Sequence, residues 1–191
     1  MADTIFFDIG QGIKADSGTW YRNVQRLGVG GNAVTFLVLA TSASARGVPF
    51  ALKVFRRLSK PERRDSFIRE AAFLEKCDHP SVMRIYDVGI YLDKHPFLVA
   101  EYLPRTLESV IRSRSASTVQ TTVFILQLLS ALDYLSTQDP PVVHRDLKPQ
   151  NVFVNGPSCV LGDFGLMKHV EKDIPDDVEF VKESIGYGMP Y

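Results

Sequence analysis

The chain has 191 residues, with 22 Lys plus Arg against 22 Asp plus Glu and 45% hydrophobic residues, so its formal net charge is zero. That balance gives no electrostatic footprint for nucleic acid or for an anionic membrane surface, and nucleic-acid binding is disfavoured. The longest fully apolar stretches, such as 36–40 and 123–126, fall far short of the roughly 20 residues that cross a bilayer, so no membrane span is expected.

Residues 1–20 show no sustained periodicity and contain Gly10, Gly12 and Gly18, which predicts an irregular N-terminal arm. The first basic residue is Lys14, so the charged start and apolar middle of a secretory signal are missing and a cytoplasmic protein is expected. From Tyr21 to Phe55 the pattern is that of three strands, 24–27, 34–40 and 50–55, separated by a glycine cluster and a Ser/Ala-rich loop. Between Pro61 and Cys77 the period changes to that of an amphipathic helix, with Phe67, Ala71 and Leu74 at i, i+4 and i+7. Two further strands are expected at 82–88 and 97–102. A helix at 119–135 follows, apolar enough to require burial among other elements. Pro140-Pro141 opens a loop, 152–154 and 159–161 read as a short hairpin, and 171–183 is acidic and aperiodic. Cys77 and Cys159 lie outside any metal-ligand or disulfide spacing and read as reduced packing residues. A β-rich half followed by an α-rich half indicates an α+β fold in two lobes.

Gly28-Val29-Gly30-Gly31-Asn32-Ala33 sits between two strands, where glycines let backbone N–H groups approach a phosphate. The same residues also suit a simple hairpin turn. Lys53 lies in the apolar strand Phe50-Ala51-Leu52-Lys53-Val54, where an unpaired ammonium is costly, and Glu70 in the next helix is its candidate partner. An edge-strand lysine beside a solvated glutamate is the competing reading.

The decisive segment is His144-Arg145-Asp146-Leu147-Lys148-Pro149-Gln150-Asn151, with Asp163-Phe164-Gly165 beginning twelve residues after Asn151. With each residue type used at roughly 5%, six such fixed positions coincide by chance on the order of once in 10⁸ starting sites. The segment resembles the catalytic loop and metal-binding motif of protein kinases, of the serine/threonine type and bacterial-like. The resemblance runs from about Trp20 onward and places the glycine cluster, Lys53, Glu70, Asp146 and Asp163 in the family's order.

The resemblance implies a bilobal kinase-like α+β fold, with a small β-rich N-lobe (21–100) carrying one helix and a hinge and incomplete helical C-lobe (101–191). It implies ATP-dependent phosphoryl transfer to Ser/Thr hydroxyls of proteins, with ATP and Mg²⁺ as cofactors. Asp146 would be the base, Lys148 the γ-phosphate lysine, Lys53 the α/β-phosphate lysine fixed by Glu70, and Asn151 and Asp163 the oxygen donors to the metal. The nucleotide would lie against Leu27, Gly28, Gly30, Gly31, Ala33 and Thr35. Backbone groups of Glu101 and Leu103 would receive adenine, sandwiched by Ala51 and Phe153.

Several features qualify the pattern. Ala33 and Thr35 replace the family's third glycine and following valine, and Ala100, where a bulkier side chain is common, should leave open a pocket behind adenine. Ser184 is the leading phosphate acceptor in the activation segment, since Arg145 suits phosphate binding there, against a purely solvated acidic loop. The basic cluster Arg56, Arg57, Lys60, Arg63, Arg64 and Arg69 reads as an exposed helix face, against a docking patch for an acidic partner or a phosphorylated loop. The chain stops just before the family's Ala-Pro-Glu-like motif. The alternative function is therefore a nucleotide-binding or scaffolding module, inactive because its C-lobe is incomplete, with self-association through exposed C-lobe surface.

Overall fold

The computed structural model describes residues 5–30, 33–42, 45–56, 67, 71–163 and 168–169. Strands β1 (Gly12–Lys14), β2 (Trp20–Val29), β3 (Ala33–Ala40) and β4 (Pro49–Phe55) are followed by helix α1, described at Phe67 and at 71–76. Next come β5 (Ile85–Tyr91) and β6 (His95–Glu101), completing a six-stranded antiparallel sheet of order β1-β2-β3-β4-β6-β5.

Strand alternation explains how this sheet builds both a core and a cleft. On β4, Phe50, Leu52 and Val54 point into a core shared with Tyr21, Phe36, Val38, Phe97 and Val99. Ala51, Lys53 and Phe55 therefore point the other way. The register pairs Thr35 with Lys53, Ala51 with Ala100 and Lys53 with Leu98, so β3, β4 and β6 present one continuous opposite face. Because β4 pairs with β3 on one side and β6 on the other, Lys53 sits on a central strand and the edge-strand reading fails.

The N-terminal segment departs from the expectation of an irregular arm at 1–20. Its residues form β1 and bury Phe7, Ile13 and Ala15 in the sheet's core, with Phe7 packed edge-on against Phe36 (5.2 Å) and Tyr91 (5.5 Å). Just past β1, Asp16 N donates to Val88 O in β5 at 2.9 Å, so the sheet curls until its first and last strands meet. Gly89 permits that approach: a Cβ there would stand 2.5 Å from the Phe97 ring and 3.4 Å from Ala15 Cα. Glycines and isolated apolar residues carry no period, so long-range pairing decided this segment.

The second lobe opens with β7 (Arg105–Thr106) and helix α2 (Leu107–Arg112), capped by Thr106 Oγ1, which accepts from Ser109 N at 3.2 Å. Helix α3 (Thr118–Ser136) begins at a capping box of Ser117 and Gln120. Then follow β8 (Val142–Val143), a 3₁₀ turn (Pro149–Asn151), β9 (Val152–Asn155), β10 (Ser158–Leu161) and β11 (Lys168–His169). The expected hairpin forms from β9 and β10, with β7 added at its side. The strand expected at 82–88 lies instead at Ile85–Tyr91. Val82 makes an isolated bridge to Leu161, and Met83 N donates to Leu161 O (2.8 Å), tying the two lobes together.

Helix α3 also departs from expectation. Phe124, Ala131 and Leu135 are buried against β8 and β10, yet Val119, Ile125, Leu126 and Leu129 are exposed, Val119 by 73%. An all-round apolar helix has no period to say which side is covered. Its 19 residues are also long and apolar enough to cross a membrane by length and composition, against the expectation drawn from uninterrupted apolar runs. One flank is nevertheless committed to protein: Cys159 N donates to Gln127 Oε1 (2.8 Å), and Cys159 Sγ reaches Phe124 O (3.4 Å).

Candidate active site

Between the sheet's second face and the other lobe lies a cleft of about 490 Å³. Leu27, Gly28, Thr35, Ala51 and Lys53 line it from the sheet, Ala100, Glu101 and Leu103 from the connection, and Phe153 and Asp163 from below. All ten were singled out in the sequence. Gly30 and Ala33 lie instead at the tip of the β2–β3 hairpin, closed by a 2.8 Å bond from Gly30 N to Ala33 O, and do not line the cleft. Gly31, Glu70 and Ser184 lie outside the described residues, as do 57–66 of the basic cluster.

The cleft also has a wall that sequence reasoning missed. Phe55, Phe67, Ala71, Leu74, Met83, Ile85 and Leu98 line it beyond Ala100. Phe55, two residues after Lys53 and so on the same face, was within reach of strand alternation. The others come from α1, β5, β6 and the segment preceding β5, and only the fold assembles them. Ala100, which precedes Glu101 at the end of β6 and pairs with Ala51, lines the same cleft.

Lys53 is 19% exposed and forms an ion pair with Asp163, while its ammonium lies 5.4 Å from the centre of the Phe55 ring. The anionic partner seen among the described residues is thus Asp163. Asp163 has φ of 58° and Arg145 has φ of 62°, left-handed values that cost energy for residues with a Cβ and that cluster at functional sites. Gly162, just before Asp163, is tightly enclosed: a Cβ there would lie 2.6 Å from Met83 Cε and 2.9 Å from the Phe153 ring.

The loop 144–151 folds around Asp146. Lys148 Nζ donates to Asp146 Oδ2 at 2.8 Å, and Asn151 Nδ2 donates to the same oxygen at 2.8 Å and to the Asp146 carbonyl at 2.9 Å. Both side-chain contacts fall on Oδ2, and Oδ1 has no hydrogen-bond partner among the described residues. Gly162 N donates to Asn151 O at 2.8 Å, which ties the backbone at Asn151 to the residue preceding Asp163; Asp163 lines the cleft and Asn151 is buried beside Asp146. The side-chain oxygens of these two residues suit a hard cation, although no group of three or more His, Cys, Asp or Glu capable of holding a metal occurs among the described residues.

His144 supports this loop from below. It is 2% exposed; its Nδ1 accepts from Asp146 N at 3.3 Å, and its Nε2 lies 2.9 Å from Gly162 O. A ring that accepts at Nδ1 and donates at Nε2 is neutral, which agrees with burial lowering its pKa below the ordinary value. One imidazole thus joins the backbone of the Asp146 loop to the residue preceding Asp163. Gln150, also on the cleft, donates to Glu108 Oε1 of α2 at 3.0 Å and anchors the loop's other end.

A family model for the protein kinase domain matches residues 21–187. The matched span contains the cleft, the Lys53–Asp163 pair and the whole Asp146 loop, and it omits β1 and Phe7 of the sheet-closing segment. With most of its length accounted for in this way, the chain belongs to the protein kinase domain family, whose chemistry is phosphoryl transfer.

Proposed function

We propose that this chain transfers the γ-phosphoryl group of ATP to Ser or Thr hydroxyls of proteins. In that reaction the acceptor oxygen bonds to the γ-phosphorus as the bond to the β–γ bridging oxygen breaks, ADP leaves, and the hydroxyl proton passes to a base. The arrangement around Asp146 carries the reading. With Oδ2 held by Lys148 and Asn151, Oδ1 is the oxygen left to orient the acceptor hydroxyl and take its proton.

The remaining residues supply positioning and charge. Adenine is received by the backbone of Glu101 and Leu103 between Ala51 and Phe153, which places the phosphates toward Lys53. Asn151 and Asp163 are the residues to hold Mg²⁺, which when bound neutralises charge on the phosphates. Their oxygen chemistry and their backbone link through Gly162 support that assignment. Lys148 beside the base supports Ser/Thr rather than Tyr acceptors, following the pattern the motif resembles.

A second reading, a nucleotide-binding or scaffolding module, is favoured by the exposed apolar residues of α3, which also support self-association. One experiment separates the two readings. Phosphate transfer from Mg·ATP to a Ser/Thr peptide library, abolished in Asp146→Asn, supports the kinase. ATP binding without transfer supports the module.

A further inference from the structure

We propose that Arg56 is a positioning residue for the nucleotide's phosphates, acting by holding Gly30 and Ala33, where the two strands of the glycine-rich hairpin end. The inference rests on the reading of the cleft as an ATP site. Arg56 immediately follows β4, three residues after Lys53. Its Nη2 donates to the carbonyl oxygen of Gly30 and lies 3.5 Å from that of Ala33. Those two residues flank positions 31–32, and Ala33 O also accepts from Gly30 N at 2.8 Å. The guanidinium therefore clips both sides of the hairpin to the end of the strand that carries Lys53.

Two physical consequences follow. Glycines make a loop cheap to bend and costly to order, so a loop meant to meet a ligand with its backbone gains from a fixed anchor. A rigid guanidinium bonded to carbonyls provides one that does not depend on the loop's own side chains. Carbonyl oxygens also repel phosphate oxygens. With Gly30 O and Ala33 O turned to Arg56, these carbonyls are engaged by a cation at the end of β4 and add less negative potential at the cleft's edge. Ala33 pairs with Phe55 across β3 and β4, so Ala33, Arg56 and Lys53 are joined within one stretch of hydrogen-bonded sheet.

The test compares the full-length wild type with Arg56→Met and Arg56→Lys, measuring dissociation constants for ATP and for adenosine and the hydrogen exchange of the Gly30 amide without nucleotide. Loss of a charged hydrogen-bond anchor is expected to weaken ATP binding in Arg56→Met on the order of tenfold. Adenosine binding should change less than about twofold, because adenosine carries no phosphate for the loop to meet. Gly30 exchange should accelerate, and Arg56→Lys should recover part of both effects. Equal loss of ATP and adenosine, or unchanged ATP affinity with wild-type exchange at Gly30, would overturn the proposal. A wild type that binds adenosine but gains nothing from the phosphates of ATP would overturn the ATP-site reading itself, and the role of Arg56 with it.

Discussion

Asn151 and Asp146 are locked together twice, through Nδ2 to the aspartate's Oδ2 at 2.8 Å and to its carbonyl at 2.9 Å. An amide that bonds both the side chain and the backbone of one residue fixes that residue's rotamer as well as its place. Replacing Asp146 by Asn keeps the shape but removes the carboxylate that the proposed mechanism uses as its base. Phosphoryl transfer should fall by about 10² to 10⁴ fold, the usual worth of a positioned general base, with ATP affinity changed less than about twofold. Steady-state transfer rates beside nucleotide titrations check it, and an equal loss of ATP affinity would mean that Asp146 acts in binding instead.

His144 makes stability depend on acid. Its folded-state pKa lies below the ordinary value of 6.5 because of burial, so the folded protein resists protonation that the unfolded chain accepts. The stabilisation is therefore present above about pH 6.5 and is lost as pH falls through the folded-state value. Melting temperatures between pH 8 and pH 5 should decline for the wild type more steeply than for His144→Gln, whose side chain does not titrate. Parallel profiles would show that His144 does not set the acid limit.

Asp87 fastens the N-terminal segment. It is buried and accepts from Ser17 Oγ, from Ser17 N at 3.3 Å, from Tyr21 Oη at 3.3 Å and from Val88 N at 3.0 Å. Burial, and then the charge of Asp87, push the Tyr21 phenol up to about 12. Tyr21 thus contributes stability below about pH 10 that is lost as pH rises toward its folded-state value. A spectrophotometric titration should show one tyrosine ionising late, and Asp87→Asn should bring it down.

Phe7 tests the same closure through packing. Truncation to Ala removes a ring held between Phe36 and Tyr91, at an expected cost of about 3 to 5 kcal/mol. Denaturant unfolding measures it. An irregular arm of no structural consequence would give a change within about 0.5 kcal/mol, as for ordinary surface sites.

Ala100 shares one cleft with the apolar side chains of Phe67, Leu74 and Met83, and a gating role for it is testable. Adenine analogues with a bulky apolar substituent should bind the wild type and lose at least about tenfold affinity in Ala100→Met, since even one methylene in a shaped pocket is worth about 10 to 200 fold. Competition binding with ATP as the internal reference checks it. Unchanged analogue affinity would mean that the substituent points elsewhere.

Much of this was legible in residue order. The alternation in β3 and β4, the side on which Lys53 stands and the family of the Asp146 loop follow from local pattern and motif spacing, because strand period and loop chemistry are short-range properties. Three matters were decided only by distant parts of the chain meeting. Residues 5–20 have no period, yet Phe7 finds Tyr91 and Asp16 finds Val88, so closure of the sheet depends on contacts some 70 to 85 residues apart. Helix α3 is apolar on every side, so only packing against β8 and β10 chose which residues were buried. That Lys148 and Asn151 both turn to Oδ2 of Asp146, leaving Oδ1 without a hydrogen-bond partner among the described residues, is a property of the folded loop. A sequence motif places residue types at the right intervals, but which carboxylate oxygen the neighbouring side chains engage is decided by three-dimensional hydrogen bonding.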